Sequence, residues 1–496
     1  MKRKLLSAFA MILLLGISRA AFAERAVPVY PDIKIEYIED VQSSENGGAI
    51  SLLDESAEVS SDNRYGRTAI GELGNGAELI KIYDALVSGV RNFDETITVN
   101  IGFQLTNEIV NSVTTAIVND NPDLFWFGTY GDYVSYFEIE GKISSSSYEY
   151  SFKPAYNAEK SAAQSMQTQM ENAANSFIKQ ADITEGMTDY DKALALHDVV
   201  CANLVYDNSQ SRDWIHTAYG AFVKKYAVCD GYSKAYQYLL NKAGIDSHIA
   251  IGWSKGEGHA WNLVKLDGEW YYTDVTWDDS EYGIFYEYFN ITTELLKEDH
   301  ELDSSAYKMP DCTATDNWYM KKENIYQTQS SGIDTGKFTE LIKANPHVTI
   351  YFTDDPANDG IKSAVDNYWE EKFNKIATEL LMSGVTVTSG LYSYCNREYH
   401  FYFFDEKSTY IKTDDDNKHR IYINLLDNGS GVLIQSFYNE KGILTRTRSL
   451  PIMFNQYDVF KIDMSPDDGF NNYKYIKYML WRGGTMQPIC DMKIAS

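Results

Sequence analysis

The sequence predicts an α+β protein of several domains, and three observations support this fold class. The chain has 496 residues, 44% hydrophobic and 14% aromatic, which is enough for several domains of roughly 100–200 residues each. Residues 229–277 have the pattern of one helix followed by three short strands. Residues 420–496 alternate between strand and turn patterns. We therefore expect a helix packed on an antiparallel sheet in mid-chain and a β-sandwich at the end.

Residues 1–23 have the pattern of a cleavable secretory signal peptide. A basic start is followed by an apolar run at residues 5–17 and by small residues at Ala21 and Ala23. The apolar run is shorter than the roughly 18–20 residues that a membrane-spanning helix needs. We expect cleavage after Ala23, a secreted extracellular protein, and no membrane insertion of the mature chain.

The charge of the chain disfavours two classes of partner. The formal net charge is −27 at pH 7, and removal of the basic leader makes the mature chain more acidic still. Phosphate backbones and anionic lipid headgroups repel such a surface. We therefore expect no nucleic-acid partner and no direct binding to anionic lipid headgroups.

The cysteines show neither a metal-binding nor a disulfide pattern. They are widely scattered, at Cys201, Cys229, Cys312, Cys395 and Cys490. The sequence has no CxxC pair and no Cys/His cluster at zinc spacing. The acidic runs at 278–279 and 414–416 do not match a calcium-binding EF-hand loop. We expect no metal and no cofactor, and the odd cysteine count is a weak indication of one functional thiol.

Residues 24–155 read as an α+β lead-in region, and residues 156–310 as a central domain. The lead-in contains helical spacing at residues 76–90 and strand alternation at 95–103. The central domain opens with two helices, the second of which is preceded by Thr188 and Asp191, a variant of the capping box. Cys201 lies on the apolar stripe of that helix, which favours a core thiol.

The stretch YAVCDGYSKAY places Cys229 at the start of a helix. Apolar residues recur at helical spacing from Tyr232, and Gly244 ends the pattern. A thiolate at Cys229 would face the unpaired backbone N–H groups and the positive end of the helix dipole, which lowers the pKa of a thiol. Gly231 leaves room for close approach. The alternative is a packed core thiol.

Three short strand patterns follow, at residues 246–253, 258–266 and 269–277. Asp267 and Gly268 are a strong two-residue hairpin signal between the last two. In that hairpin His259, on the second strand, pairs near position 276. Asp274, which we expect on the third strand, is its diagonal neighbour on the same face. A thiol, a base and a carboxylate that orients the base then follow in chain order.

The blocks VCDGYSKAY, GHAWNLV and YYTDVTW, with TAYGAF upstream, resemble the transglutaminase-like superfamily. The resemblance covers about residues 188–278 and implies a papain-like core with a Cys-His-Asp triad. It implies Cys229 as the nucleophile, His259 as general base and then acid, and Asp274 as the orienting residue.

The resemblance also implies acyl transfer from a peptide or protein amide through a Cys229 thioester. Cell-wall and extracellular proteins are one class of substrate that we expect. The family includes cross-linking transglutaminases, peptidases and inactive relatives. Hydrolysis is favoured over cross-linking because water is the default acceptor. The alternative is a catalytically silent surface or extracellular binding protein on the same fold.

The second oxyanion donor stays open beside the backbone N–H of Cys229. Papain-type proteases place a Gln six residues before the cysteine, where this chain has Val223. Trp214, or the hydroxyl of Tyr206 or Tyr219, could serve instead, and packing is the competing interpretation of each.

Two tryptophans follow the histidine and the aspartate closely. Trp261 and Trp277 could line a peptide groove or could pack against the helix. His216 and His248 read as structural or surface histidines.

The C-terminal third reads as two accessory domains. Residues 320–418 predict an α/β domain that includes a helix at 363–384, and residues 420–496 predict the β-sandwich. The ending resembles β modules of secreted Firmicutes proteins, which dock partners or space domains.

Overall fold

The structure is a computed structural model. It describes residues 33–37, 64–128, 135–144, 147–209, 212–280, 283–329, 334–344, 347–354, 389–395, 397–404, 410–413, 420–424, 429–454, 459–463, 473–482, 488 and 493–495. The contacts group the chain into two compact units. The first contains Arg19–Asp279 and Tyr288–Glu323, and the second contains Ser280–Glu287 and Asn324–Ser496.

The described helices are numbered in chain order. They are α1 (Tyr65–Gly71), α2 (Gly76–Asn92), α3 (Asn107–Asp120), α4 (Lys160–Gln180), α5 (Asp189–Asn203), α6 (Cys229–Lys242), α7 (Thr293–Leu296), α8 (Tyr319–Lys322) and α9 (Thr335–Ala344). One π-helical turn spans Gly220–Lys224.

The described strands are numbered in the same way. They are β1 (Lys34–Tyr37), β2 (Ile97–Ile101), β3 (Phe137–Ile143), β4 (Tyr148–Pro154), β5 (Val205–Tyr206), β6 (Tyr226–Ala227), β7 (Ser247–Ser254), β8 (Glu257–Leu266), β9 (Glu269–Thr273), β10 (Asp279–Ser280), β11 (Gly283–Ile284), β12 (His300–Leu302), β13 (Tyr326–Thr328), β14 (His347–Phe352), β15 (Ser389–Cys395), β16 (Glu398–Phe404), β17 (Tyr410–Thr413), β18 (Arg420–Asn424), β19 (Gly429–Tyr438), β20 (Leu444–Phe454), β21 (Val459–Asp463), β22 (Tyr475–Arg482) and β23 (Lys493–Ala495).

The fold class α+β predicted from the sequence is confirmed. Among its described residues, the first unit contains the long helices α2, α3, α4, α5 and α6. It also contains two four-stranded sheets, ordered β1-β3-β4-β2 and β12-β7-β8-β9. The second of these sheets is antiparallel throughout. Helix α6 packs against β7 and β8 of that sheet.

Helix α5 packs against α6. The predicted capping box is present, because the Asp191 N–H donates to the Thr188 hydroxyl at 3.1 Å and the Thr188 N–H donates to the Asp191 carboxylate at 3.2 Å. The hydroxyl of Tyr236, on α6, donates to the carbonyl oxygen of Ala193 at 3.0 Å. The two helices are thereby joined through their buried faces.

Helix α6 begins at Cys229, as the apolar spacing predicts. Its N-cap residue is Val228, which makes no side-chain capping hydrogen bond. The N–H of Val228 donates to the Ile215 carbonyl oxygen at 3.1 Å. Tyr232, Ala235, Tyr236, Leu239 and Leu240 of the apolar stripe are fully buried. Gly244, at φ +80°, ends the run in a conformation that favours glycine.

The β8–β9 hairpin turns where the sequence predicts. Asp267 and Gly268 have φ values of 53° and 87°, as a type I′ turn requires, and Leu266 pairs with Glu269. The predicted third strand is too long, however. Strand β9 ends at Thr273, so Asp274 lies in the turn beyond it rather than on the strand.

The physical reason is a local turn. Oδ1 of Asp274 accepts hydrogen bonds from the N–H groups of Thr276 and Trp277 at 3.0 and 3.2 Å. An Asp side chain that bonds the backbone two and three residues ahead competes with strand pairing. The turn fixes the carboxylate at the end of the sheet.

The segment between β11 and α7 is mostly irregular. Residues 285–290 are mostly turns, and an isolated bridge between Tyr272 and Ile291 joins the segment to β9. Strand β12 was not foreseen, and it pairs antiparallel with β7, His300 opposite Ser254.

The lead-in elements pack on the same unit around a buried carboxylate. Asp120, at the end of α3, accepts hydrogen bonds from the N–H groups of Gly66 and Arg67 at 2.8 Å and from the hydroxyl of Tyr83. His248 on β7 is completely buried, with Nε2 3.1 Å from the hydroxyl of Tyr307. This is the structural placement expected for His248.

The second unit contains helix α9 and three sheets, ordered β13-β14-β16-β15, β17-β18-β21 and β20-β19-β22-β23. The predicted helix at 363–384 and the leader at 1–23 lie outside the described residues. The domain limits and the sandwich packing of the C-terminal sheets stay predictions. Within the described ranges, no helix is both long enough and apolar enough to span a bilayer.

Candidate active site

Cys229 lies at the first residue of α6 and is 3% exposed. It packs in a buried cluster with Ile249, Ile251 and Ala260, which brings it against strands β7 and β8. The hydroxyl of Ser233 lies 2.9 Å from the carbonyl oxygen of Cys229 and 3.0 Å from that of Ala260. The helix start is therefore pinned beside the strand residue that follows His259.

His259 and Asp274 meet at the end of the sheet. Nε2 of His259 is 2.6 Å from Oδ2 of Asp274, and each residue is 1% exposed. Because the contact uses Nε2, proton exchange with a thiol would have to use the other ring nitrogen, Nδ1. The structure thus brings the three residues of the predicted triad to the junction of α6 and the sheet. Their catalytic roles stay predictions.

Asp274 is saturated with donors. Its Oδ1 takes two backbone N–H groups, and its Oδ2 lies within hydrogen-bond distance of two histidines, His259 and His300. Burial opposes the charged form, but the two imidazoles outweigh it and hold the pKa of Asp274 well below its ordinary value. The carboxylate stays ionised, as an orienting group must.

His300 is the functional candidate that sequence reasoning missed. Nε2 of His300 is 3.2 Å from Oδ2 of Asp274, and its Nδ1 is 2.6 Å from Oδ1 of Asp299. It lies 26 residues beyond Asp274 on an edge strand, and the adjacent Asp-His pair was the available hint.

An aromatic cluster encloses His300. Its ring centroid lies 4.9 Å from that of Trp261, 4.7 Å from that of Trp277 and 5.4 Å from that of Tyr288. Trp261 is fully buried and Trp277 is 7% exposed. In this structure both tryptophans pack around the site, and neither lines an open groove.

A lysine covers the outer side of this cluster. Nζ of Lys255, in the turn between β7 and β8, lies 4.2 Å from the ring centroid of Trp277. The centroid of Trp277 is 5.8 Å from that of His259. The lysine therefore holds the tryptophan over the histidine.

A loop before α6 frames the nucleophile. Trp214 has φ of 71°, a left-handed conformation that is uncommon for a bulky residue. Nδ1 of His216 is 2.9 Å from Oδ1 of Asp230, and Nζ of Lys234 donates to the His216 carbonyl oxygen at 2.7 Å. His216, expected to be structural, thus ties the loop to the first turn of α6.

The oxyanion candidates have other contacts. The hydroxyl of Tyr219 donates to Oε1 of Gln169 at 3.2 Å, and the ring of Trp214 packs on Tyr219. Tyr206 packs on Ile215 and Val228, beside the start of α6. Of the three hydroxyl or indole candidates, Tyr206 is the one in the cluster next to Cys229. A second donor stays a prediction.

Metal binding is geometrically conceivable at one cluster of the described residues. One ligand atom each from His259, Asp274 and His300 lies within 4.8 Å of the others. The two histidine contacts to Asp274 are at hydrogen-bond distance, so hydrogen bonding accounts for the cluster. The prediction that the site works without a metal or cofactor stands as a prediction.

A thiol–imidazole contact also lies in the core, away from Cys229. Sγ of Cys201 is 3.9 Å from Nε2 of His197, which is 3.1 Å from Oδ2 of Asp278. Burial raises the pKa of Cys201 to about 12, and the residue is 4% exposed. Cys201 is the packed core thiol that the helix pattern predicts.

A thiol at a helix start packs against an antiparallel sheet, and an imidazole–carboxylate pair lies at the end of that sheet. This is the arrangement that a papain-like core implies. Residues 179–275 match the transglutaminase-like superfamily. The chain thus carries a transglutaminase-like domain, and the triad candidates are at positions within that match.

Similar proteins are known. The human kyphoscoliosis peptidase is 26% identical over 151 residues, 26% of this chain and 23% of its own length. The mouse kyphoscoliosis peptidase is 23% identical over 223 residues, 39% of this chain and 32% of its own length. The chain therefore spans under a third of these relatives. A crystal structure of a TGase shares 16% identity at a TM-score of 0.21, over 37% of this chain and 52% of that one.

Proposed function

We propose that the protein is a secreted cysteine acyl-transfer enzyme that acts on peptide or protein amides through a Cys229 thioester. The observation that carries the proposal is the 2.6 Å contact between His259 and Asp274, at the end of the sheet against which Cys229 packs at the start of α6. Such a pair activates a nearby thiol, and the helix N-terminus stabilises its thiolate.

The chemistry follows from the ring nitrogens. With Nε2 of His259 facing Asp274, Nδ1 receives the thiol proton of Cys229, and the sulfur attacks the amide carbonyl carbon. The C–N bond breaks as Nδ1 returns the proton to the leaving amine, which leaves the thioester. Water then attacks, its proton passes to Nδ1 and on to the sulfur, and a carboxylic acid is released.

Hydrolysis is the favoured outcome. Water is the acceptor at highest concentration, and the two curated relatives are named peptidases. A primary amine that enters in place of water would give cross-linking instead.

An enzyme needs a path by which substrate reaches Cys229, whereas a catalytically silent binding protein does not. The triad candidates are 3%, 1% and 1% exposed, so a substrate can reach them only if part of the surrounding structure moves. The Lys255–Trp277 contact is our candidate for this cover. This burial is the one observation that favours the silent alternative.

The deciding experiment measures alkylation of each cysteine by iodoacetamide against pH, read by peptide mass spectrometry. Cys229 should react well below the free-thiol pKa of about 8.5, and His259→Ala should remove that advantage. Equal reactivity of Cys229 in both proteins would support the silent binding protein.

Substrate choice needs a second assay. Casein is incubated with a fluorescent primary amine, and new amino termini and amine incorporation are measured together. We expect new termini to dominate, with Cys229→Ala as the matched inactive control. Amine incorporation without new termini would place the chain among cross-linking enzymes.

Secretion is part of the same proposal and has its own test. The leader pattern at residues 1–23 supports export, with cleavage after Ala23. Amino-terminal sequencing of protein recovered from the culture medium should start at Glu24. A chain retained in the cells and starting at Met1 would contradict it.

A further inference from the structure

His300 is a second imidazole, besides His259, that contacts the orienting carboxylate of Asp274. Its Nε2 lies 3.2 Å from Oδ2 of Asp274, the same oxygen that Nε2 of His259 approaches at 2.6 Å. We propose that His300 is a positioning residue of the acyl-transfer site, which locks Asp274 and through it the ring of His259. This inference rests on the proposed function.

His300 is held in place by strand pairing, by burial and by hydrogen bonds. Strand β12 is hydrogen bonded to β7 at its Ser254 end, and His300 is 4% exposed. Asp299 holds its Nδ1 and in turn accepts a hydrogen bond from the hydroxyl of Tyr288. The imidazole is thereby fixed at both ring nitrogens.

Both partners of His300 are carboxylates, and ionised carboxylates only accept hydrogen bonds. Each ring nitrogen must therefore carry a proton, which makes His300 an imidazolium. Burial opposes this charge, but Asp274 and Asp299 outweigh it and raise the pKa of His300 to about 9. The other titratable groups near the cluster include His259, with its ring 5.5 Å away, and Lys255, next to Trp277. Lys297, Glu298 and Glu301 line the same pocket as His300.

The consequence for Asp274 is loss of rotational freedom. Without His300, Oδ2 would be held by His259 alone, and the imidazole and the carboxylate could move together. With His300 in place, each oxygen of the Asp274 carboxylate accepts two hydrogen bonds. The carboxylate plane is then fixed, and so is the direction from which Asp274 holds the ring of His259. Precise orientation of a general base is worth large rate factors.

Two variants of His300 separate the hydrogen bond from packing. His300→Phe keeps ring packing against Trp261 and Trp277 and removes both N–H donors. His300→Gln keeps one amide donor that can reach Asp274. The readout is the pH profile of Cys229 alkylation in the full chain, with thermal melting to check folding.

We expect His300→Phe to move the acid limb of that profile upward by about one pH unit, with about tenfold slower alkylation at pH 6. His300→Gln should restore part of the loss. A wild-type profile in His300→Phe overturns the inference alone. Equal loss in both variants also overturns it, because the hydrogen bond would then not matter. A wild-type Cys229 no more reactive than a free thiol overturns the proposed function and this inference together.

A measurement on the unmodified protein covers the case in which His300→Phe does not fold. Nitrogen NMR of selectively labelled histidine at pH 7.5 should show both ring nitrogens of His300 protonated, and His300→Gln assigns its signals. A neutral His300 ring at that pH overturns the inference.

Discussion

The carbonyl oxygen of Ile215 occupies the space beside Gly231 in which a side chain would begin. A β-carbon added to Gly231 would lie 2.3 Å from that oxygen and 2.8 Å from the β-carbon of Ala227. The same carbonyl oxygen accepts a hydrogen bond from the N–H of Val228, the N-cap residue of α6. Cys229 is therefore set in place by a close approach of two backbone segments that only glycine permits.

Gly231→Ala should displace the start of α6. The added methyl group cannot be accommodated against a backbone carbonyl, so we expect a loss of about 1–3 kcal/mol in the free energy of unfolding. Misplacement of the thiol should slow Cys229 alkylation at pH 6 by about 10- to 100-fold. Gly74→Ala is the matched control, because no atom lies within 4 Å of its added β-carbon. Similar behaviour of the two variants would contradict the role of this contact.

Lys255→Ala should open the cover over the site. The lysine lies 4.2 Å from the centroid of Trp277, and such an exposed cation–π contact contributes about 0.5–1 kcal/mol. We expect Cys229 to be alkylated about two- to fivefold faster at pH 7. Lys265→Ala is the control, since Lys265 lies 5.8 Å from Trp270 at the other end of β8. An unchanged rate in Lys255→Ala would mean that substrate enters elsewhere.

The imidazolium of His300 should make stability depend on pH. Its pKa is about 9 in the folded chain and about 6.5 in the unfolded chain. A folded pKa above the unfolded one adds stability that is complete below about pH 6.5 and is lost as the pH rises through 9. The melting temperature of the wild type should therefore fall by a few degrees more than that of His300→Gln over this window. Parallel curves would show that His300 is neutral in the fold.

The site was predictable where it depends on local chemistry. The Asp267-Gly268 turn fixes the β8–β9 register, so the sequence placed His259 and Asp274 as neighbours before any tertiary contact was known. The apolar spacing likewise placed Cys229 at the start of α6. These relationships span short stretches of chain.

The remainder depends on contacts between distant segments. His300 reaches Asp274 because β12 joins the edge of β7, and no local pattern specifies that pairing. Tyr219 was a plausible oxyanion donor in sequence, but its hydroxyl contacts Gln169 on α4. The early end of β9 follows from the Asp274 turn, which strand alternation does not reveal.

Asp274→Asn should disable the site by reversing one hydrogen bond. The amide oxygen can keep the two backbone N–H groups of Thr276 and Trp277, which places the NH₂ group where Oδ2 faces His259. Nε2 of His259 must then accept, so the ring proton moves to Nδ1, the nitrogen that has to receive the thiol proton.

We expect kcat in this variant to fall by about 10⁴-fold, the size of the effect of the equivalent Asp-to-Asn change in a serine protease. Alkylation of Cys229 at pH 6 gives the same information without a substrate. Asp267→Asn is the matched control, because an Asn fits the type I′ turn on the same hairpin and leaves the site untouched. Wild-type reactivity in Asp274→Asn would show that the carboxylate does not set the tautomer of His259, and the orienting role would have to be abandoned.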